Sequence, residues 1–186
     1  MKSACNPKSN IDPRVTDGFG DEWTRFDQSE LSIAERQKLF DDYFSIFPWT
    51  ALPDNAAGAD VGCGSGRWAS LVAPRVSTLY CIDGSAKALD VAKRNLRDFA
   101  NCKFIEADVG NPGVPHSTLD FAYSLGVLHH VPDTLAGIRS CVDMLKPGAP
   151  LLIYLYYRFD NRPAWFRGLW AASNLLRRII DRKSVV

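Results

Sequence analysis

From residue 56 onward, short apolar runs alternate with longer stretches in which apolar positions recur at helical spacing. The short runs are typical of strands buried in a sheet, and the longer stretches are typical of amphipathic helices. Five strands are predicted, at Ala57–Val61, Thr78–Ile82, Lys103–Glu106, Leu119–Leu125 and Pro150–Tyr156.

Helices are predicted in the intervals and after the last strand, with Ser85 and Asp133 as N-caps. They cover Arg67–Ala73, Ala86–Ala100, Asp133–Leu145 and Pro163–Arg182. Strands that alternate with helices predict a parallel sheet with right-handed crossovers. The predicted fold class is therefore α/β, a doubly wound Rossmann-like and mostly parallel sheet with helices on both faces.

The N-terminal region precedes this alternation. Residues 1–16 are polar, which predicts a flexible tail. Ser32 followed by Glu35 is a capping box, which would begin a helix. Residues 17–50 are thus predicted as a helical addition, and residues 51–186 as the α/β domain.

Composition and charge exclude several classes of protein. The formal net charge is +1, so the chain has no global attraction for nucleic acid. Its five cysteines are scattered without C-x-x-C spacing, which argues against a disulfide framework or a metal site. The N-terminus lacks the apolar region of a signal peptide, and no stretch suits a transmembrane helix. These features predict a cytoplasmic protein without a metal.

The segment from Ala59 to Trp68, A-D-V-G-C-G-S-G-R-W, joins the first predicted strand to the first helix of the domain. Its glycines, Gly62, Gly64 and Gly66, stand at alternate positions. Such a turn lets a ligand approach the backbone, because any Cβ there would stand in the way. Ligands of doubly wound sheets bind at the carboxyl ends of the strands, where this turn lies.

Acidic residues near strand ends narrow the class of ligand. Asp83 ends the second predicted strand, 17 positions after Gly66, and a carboxylate there can accept hydrogen bonds from both hydroxyls of a ribose. Dinucleotide sites read G-x-G-x-x-G, whereas here the glycines alternate and Asp60 precedes them. A buried acid beside a pyrophosphate would repel it and would favour a cationic group such as an ammonium. An NAD(P)-dependent oxidoreductase is disfavoured and stays an alternative.

Five segments occur in an order and at intervals that match one family. They are A-D-V-G-C-G-S-G-R-W, Y-C-I-D-G-S, E-A-D-V, L-D-F-A-Y-S-L-G-V-L-H-H-V-P-D and L-K-P-G-A-P-L-L-I-Y. In these segments, within residues 56–156, the sequence resembles the class I S-adenosylmethionine-dependent methyltransferases that act on small molecules. The resemblance implies methyl transfer from S-adenosyl-L-methionine to an O, N or C nucleophile of a small-molecule substrate, lipidic substrates included. S-adenosyl-L-homocysteine would be the product.

The resemblance also implies a role for individual residues in holding the cofactor. The methionine part would lie against Asp60, Gly62, Cys63, Gly64 and Gly66, the ribose against Asp83 and Gly84, the adenine against Ala107, Asp108 and Val109, and the sulfonium over Ser124 and Leu125. A catalytically silent module that only binds the cofactor or its product is an alternative to the enzyme.

The pair His129–His130 follows the fourth predicted strand, where a substrate would lie. A histidine near its intrinsic pKa can remove a substrate proton as the nucleophile attacks, so both are candidate catalytic bases. The alternative is that the pair only shapes the loop before the next helix. Four N-terminal residues could close over the cofactor as a lid or could pack on the sheet: Phe19, Trp23, Arg25 and Phe26.

The C-terminal segment 163–182 combines aromatic residues and paired leucines with a basic end. It is either an interfacial helix for anionic lipid or a helix that covers the sheet. Members of the family continue with two more strands, which this sequence lacks. The chain is thus expected to be naturally short or a fragment, and the open sheet edge puts activity, more than cofactor binding, in question. The methyl acceptor and the oligomeric state are not specified by the sequence.

Overall fold

The computed structural model describes residues 9–25, 32–156 and 163–181 of the chain. At its centre lies a sheet of five strands in which every neighbouring pair is parallel. The strands are β1 (Ala57–Val61), β2 (Thr78–Asp83), β3 (Cys102–Glu106), β4 (Phe121–Leu125) and β5 (Leu151–Tyr154). Their order is β3-β2-β1-β4-β5, so the winding reverses between β1 and β4. The predicted doubly wound fold class is confirmed.

Six α-helices and two short 3-10 turns, at Trp49–Ala51 and Ala73–Arg75, are described besides the strands. The helices are α1 (Pro13–Arg25), α2 (Ile33–Tyr43), α3 (Ala69–Val72), α4 (Ala86–Asn95), α5 (Thr134–Asp143) and α6 (Ala164–Asp181). The predicted capping box opens α2: the Oγ of Ser32 accepts from the N–H of Glu35, whose carboxylate accepts from the N–H of Ser32.

The predicted strand ends agree with the structure to within two residues, whereas two of the predicted helices are too long. Helix α3 is a single turn, because the chain tightens into the 3-10 turn that contains Pro74. Helix α4 ends at Asn95 instead of Ala100. The side chain of Asn95 donates a hydrogen bond to the carbonyl of Ser65, 2.9 Å, and thereby ties this helix end to the loop after β1.

The two faces of the sheet bury different kinds of side chain. Helices α2, α3 and α4 contribute to an aromatic face, and α5 contributes to an aliphatic face. Gly58 in β1 makes the aromatic packing possible, since a Cβ at this position would overlap the ring of Phe121. The aromatic face buries Phe40, Phe44, Phe47, Trp68, Phe121 and Tyr123, and the aliphatic face buries Val61, Ile82, Leu119, Leu128 and Met144.

The N-terminal helices belong to the same compact unit as the sheet, residues 1–155. The sequence predicts a flexible tail over residues 1–16, but α1 already begins at Pro13. The carboxylate of Asp12 accepts a hydrogen bond from the N–H of Arg14, 3.0 Å, and Pro13 has no N–H that would need a partner. An acid followed by a proline is therefore the start signal of this helix.

Residues 156–186 form a second compact unit, and its described part is dominated by α6. Near the start of this helix the rings of Trp165 and Phe166 meet edge-on, 5.8 Å apart between centroids. Within the described ranges, no helix is long and apolar enough to cross a membrane.

Candidate functional site

The loop after β1 is shaped by three glycines in the left-handed region of backbone space. Gly62, Gly64 and Gly66 have φ angles of +80°, +53° and +77°. A side chain at such angles is strained. Space is also limited, because a Cβ on Gly62 would overlap the side chain of Val127. Backbone conformation and crowding both call for glycine here.

Asp83, at the end of β2, ties this loop to the sheet. One carboxylate oxygen accepts from the N–H of Gly64 and the other from the N–H of Ser85, each at 2.9 Å. Burial raises the pKa of Asp83, and these two hydrogen bonds oppose the rise. Each carboxylate oxygen has a second acceptor position, so Asp83 can still accept hydrogen bonds from the hydroxyls of a ligand.

Asp60 lies beneath the loop and is 1% exposed. Its carboxyl accepts a hydrogen bond from the hydroxyl of Tyr123, 3.0 Å. Burial raises the pKa of Asp60 to about 8, although the hydrogen bond from Tyr123 opposes the rise. The acid is therefore mostly neutral at pH 7, and a cationic group near it would favour its charged form.

A cavity of about 140 Å³ lies at the carboxyl ends of the strands, the position at which doubly wound sheets bind ligands. Two sets of residues face each other across it, which we call the sheet wall and the helix wall. The sheet wall is Gly62, Cys63, Asp83, Gly84, Ala107, Asp108, Val109, Leu125, Gly126 and Val127, and the helix wall is Asn10, Ile11, Asp12, Val15, Thr16, Phe19 and Trp23.

Eight of the twelve predicted cofactor-binding residues belong to the sheet wall. Gly64 is instead covered by the indole of Trp23, which a Cβ on Gly64 would approach to 2.9 Å. The hydroxyl of Ser124 is buried and donates to the carbonyl of Val61 across the β1–β4 pair, 2.8 Å. The predicted residues that do not line the cavity are Asp60, Gly64, Gly66 and Ser124.

Asp108 lines the cavity and also organises the turn after β3. Its Oδ1 accepts from the N–H groups of Gly110 and Asn111, and its Oδ2 accepts from the hydroxyl of Ser9, 3.3 Å. This is ordinary turn chemistry for an aspartate. Its predicted contact with an adenine stays a prediction.

The helix wall contains residues that the sequence did not single out. The amide of Asn10, a residue that is 5% exposed, donates to the carbonyl of Asp133 and accepts from the N–H of Asp133, both at 2.8 Å. Ile11 lies over Gly84, where a Cβ would come within 2.7 Å of the Ile11 methyl. The N-terminal segment is thus packed across the strand ends.

The predicted lid residues are divided by the structure. Phe19 and Trp23 belong to the helix wall, whereas Arg25 ends α1 and does not line the cavity. Phe26 lies outside the described residues.

The structure also separates the two candidate bases. His130 lines the cavity, and its ring lies edge-on to Phe19, 5.0 Å between centroids. His129 does not line it, and its ring lies 4.0 Å from that of His130. Burial lowers the pKa of both, and the nearby His130 lowers that of His129 further. Since the ordinary value is about 6.5, a lowered pKa leaves His130 neutral at pH 7 and able to accept a proton.

Comparison with known proteins identifies the family. A family model described as "Methyltransferase domain" matches residues 59–153, half of the chain. The chain belongs to this family, and with it to the class I S-adenosylmethionine-dependent methyltransferases.

Proteins with similar sequences are named as methyltransferases. An uncharacterised methyltransferase of Mycobacterium tuberculosis is 28% identical over 123 residues, 64% of this chain and 61% of the relative. A ubiquinone biosynthesis O-methyltransferase of Escherichia coli is 28% identical over 122 residues, 64% of this chain and 50% of the relative. The chain thus spans between half and two thirds of these relatives. In structure, the N-methyltransferase NodS from Bradyrhizobium japonicum, in complex with S-adenosylhomocysteine, aligns with a TM-score of 0.60 and 19% identity over 75% of this chain and 71% of NodS.

S-adenosylmethionine is the cofactor that the family indicates, and the residues at the cavity fit it. The glycines give the loop a backbone without side chains of its own, and Gly62 of this loop lines the sheet wall. Asp83 keeps acceptor capacity for hydroxyls, and Asp60 beneath the loop suits a cationic group.

Proposed function

We propose that the protein transfers a methyl group from S-adenosylmethionine to an oxygen nucleophile of a small molecule. The part of this proposal that concerns S-adenosylmethionine binding rests on the hydrogen bond from the N–H of Gly64 to the carboxylate of Asp83, 2.9 Å. It joins an acceptor carboxylate to a loop whose backbone a ligand can approach.

The residues of the site divide the binding task. The loop 62–66, with Asp60 beneath it, would hold the amino-acid end of the cofactor, and Asp83 would accept hydrogen bonds from the ribose. Asp108, on the same side of the cavity, would meet the adenine. When bound, the cofactor supplies an electrophilic methyl group on a positively charged sulfur. The main contribution of the chain is then to hold the acceptor atom about 3 Å from that methyl group.

The choice of oxygen rests on His130. A hydroxyl must lose its proton as its oxygen becomes methylated, and a neutral imidazole at the cavity can accept that proton. Burial lowers the pKa of His130, which keeps the ring neutral at pH 7. The name of the Escherichia coli relative, an O-methyltransferase, supports the same choice. Phe19 beside His130 favours an acceptor with an apolar ring or chain.

The proposed cofactor binding is tested by calorimetric titration of the protein with S-adenosylhomocysteine. Asp83→Ala should weaken binding about 10–100-fold, because hydrogen bonds to a charged group are lost. The matched control is Glu106→Ala, since Glu106 pairs with Asp83 in register at the end of β3 and is exposed outside the cavity. Equal affinity in the folded Asp83→Ala protein and in the wild type would refute the ribose role.

The two alternatives predict other outcomes in the same experiments. An NAD(P)-dependent oxidoreductase would bind NADH and not S-adenosylhomocysteine. A catalytically silent module would bind S-adenosylhomocysteine, yet it would transfer no labelled methyl group to a panel of phenols, carboxylic acids and amines. Methylation of the amines alone would support methyltransferase activity and refute the proposal of an oxygen nucleophile.

The role of His130 is tested by the pH dependence of methyl transfer to catechol, used as a simple phenolic probe. The wild-type rate should rise with pH through the lowered pKa of His130 and level off above about 6.5. His130→Gln should reduce kcat about 10²–10⁴-fold and remove this rise, with unchanged affinity for S-adenosylhomocysteine. The control is His129→Gln, which should retain the wild-type kcat and the rise of the rate with pH. A normal pH profile in His130→Gln would exclude the base role.

A further inference from the structure

The C-terminal helix α6 exposes large apolar side chains to solvent. Trp165 is 70% exposed, Leu169 is 64% exposed and Trp170 is 39% exposed. Single exposed apolar residues are ordinary on protein surfaces, but a group of them along one side of a helix indicates a site of interaction. Trp165 and Leu169 lie one turn apart on the same side of α6, whereas Trp170 lies on the opposite side, among the polar positions.

The helical period continues this apolar side along the length of α6. At about 100° per residue, six apolar positions fall along one side of the helix and five polar positions fall along the opposite side. The apolar positions are Trp165, Leu169, Ala172, Leu176, Ile179 and Ile180, and the polar positions are Arg167, Asn174, Arg177, Arg178 and Asp181.

The charge of this segment identifies the kind of surface that would cover it. Residues 158–186 contain seven basic and two acidic residues, a net charge of +5, although the whole chain carries only +1. A basic polar side opposite an apolar side that begins with tryptophan is the pattern of a helix lying in a membrane interface. An anionic lipid surface satisfies both sides of such a helix, whereas a purely apolar partner would leave the arginines without a counter-charge.

We propose that α6 lies in the plane of an anionic phospholipid surface. Its apolar side, which includes Trp165 and Leu169, would enter the boundary between headgroups and acyl chains. The net positive charge of the segment would be attracted to the phosphate groups. This surface is formed by the 156–186 unit alone, so the proposal does not depend on the proposed methyl transfer.

Flotation of the full chain with lipid vesicles tests the proposal. The probes are vesicles of phosphatidylcholine alone and vesicles in which a third of the lipid is anionic phosphatidylglycerol. At low salt the protein should float with the anionic vesicles at least tenfold more than with the neutral ones. Raising the salt to about 1 M shortens the Debye length from about 10 Å to about 3 Å and should release most of the bound protein.

Two variants that introduce a charge distinguish lipid binding by α6 from lipid binding by the rest of the surface. Leu169→Glu places a charge on the apolar side and should reduce flotation with anionic vesicles at least tenfold. Ile46→Glu is the matched control, because Ile46 is 81% exposed and lies outside α6. The control should float like the wild type, and both variants should keep wild-type urea unfolding.

Tryptophan fluorescence adds a site-specific measurement. Phosphatidylcholine brominated in its acyl chains, mixed with phosphatidylglycerol, should quench the wild-type emission. The Trp165→Phe, Trp170→Phe double variant should lose most of this quenching, because the remaining tryptophans, Trp23, Trp49 and Trp68, belong to the other unit. Unchanged quenching in the double variant would overturn the proposal.

Other outcomes also count against it. Absence of flotation with anionic vesicles at low salt would overturn it, as would equal losses in Leu169→Glu and Ile46→Glu. If light scattering instead showed a wild-type dimer that Leu169→Glu converts to a monomer, with flotation unaffected by the substitution, the exposed side would bind a second copy of the chain and the lipid proposal would be rejected.

Discussion

The two walls of the cavity are built in different ways. The sheet wall consists of loops at the ends of paired strands, and the hydrogen bond from the N–H of Gly64 to the carboxylate of Asp83 ties the loop after β1 to β2. The helix wall consists of side chains from the N-terminal segment, which the buried amide of Asn10 attaches to the rest of the molecule. An exposed ion pair between Lys87 and Asp21, 2.7 Å, is a second attachment.

This difference implies different mobility. Cavities that bind drug-sized ligands usually have volumes of about 300–1,000 Å³, whereas this cavity measures about 140 Å³ with the helix wall in place. Trp23 and Ile11 of the helix wall lie directly over glycines of the site. We expect the helix wall to open for the cofactor to enter, and the sheet wall to stay fixed. Peripheral helices open at lower free energy than a central sheet.

The largest effect is expected when the loop after β1, which supports the sheet wall, is changed. Gly64→Ala should destabilise the fold by about 1–2 kcal/mol because of its positive φ, and further because the new Cβ would lie 2.9 Å from the indole of Trp23. It should also weaken S-adenosylhomocysteine binding more than tenfold. Urea unfolding measures the first effect and calorimetry the second.

Gly126→Ala is the matched control for this substitution. Gly126 also has a positive φ, +80°, but a Cβ there would meet nothing within 4 Å. It should show only the cost of backbone strain. Gly64→Ala should destabilise the fold more than Gly126→Ala does. This excess should disappear in a Trp23→Ala background, because the indole that the new Cβ would meet is absent. An excess that persists in that background would show that Trp23 does not lie over the loop.

The sheet wall was largely predictable from the sequence, and the reason is topological. In a parallel sheet the ends of successive strands meet at one edge, so Gly62, Asp83 and Asp108 could be placed together without knowledge of any contact. The alternate glycines were readable because the turn itself demands positive φ. The hydrogen bond from Tyr123 to Asp60 was not readable, because the two residues are 63 positions apart.

Phe19 and Trp23 of the helix wall were candidates for a lid in the sequence, whereas the rest of this wall was not predictable. Asn10 and Asp133 are separated by 123 positions, and nothing in the sequence around either residue indicates their hydrogen bonds. The polar composition of residues 1–16 instead predicted a flexible tail. Only the Asp12–Pro13 helix start was a local signal, and it gives the position of α1 along the chain without its partner surface.

A more local effect, confined to the helix wall, is expected from Asn10→Ala. The substitution removes two partly buried hydrogen bonds to the backbone N–H and carbonyl of Asp133. The loss of these two hydrogen bonds should lower the free energy of opening the helix wall by about 1–3 kcal/mol. Hydrogen exchange of the amides in α1 should therefore become about 10–100-fold faster, because the helix opens more often. Exchange in β1 and β4 should not change.

Two controls show which attachment holds the helix wall. Ser9→Ala removes only a hydrogen bond at 3.3 Å from an exposed residue, and Lys87→Ala removes an ion pair whose side chains are both more than half exposed. Exposed pairs contribute little in water, so exchange in α1 should stay at the wild-type rate in both variants. If Lys87→Ala accelerated exchange as much as Asn10→Ala, the wall would be held by surface charge. The opening of the helix wall would then depend on salt concentration. The buried amide of Asn10 would hold the wall no better than the exposed ion pair does.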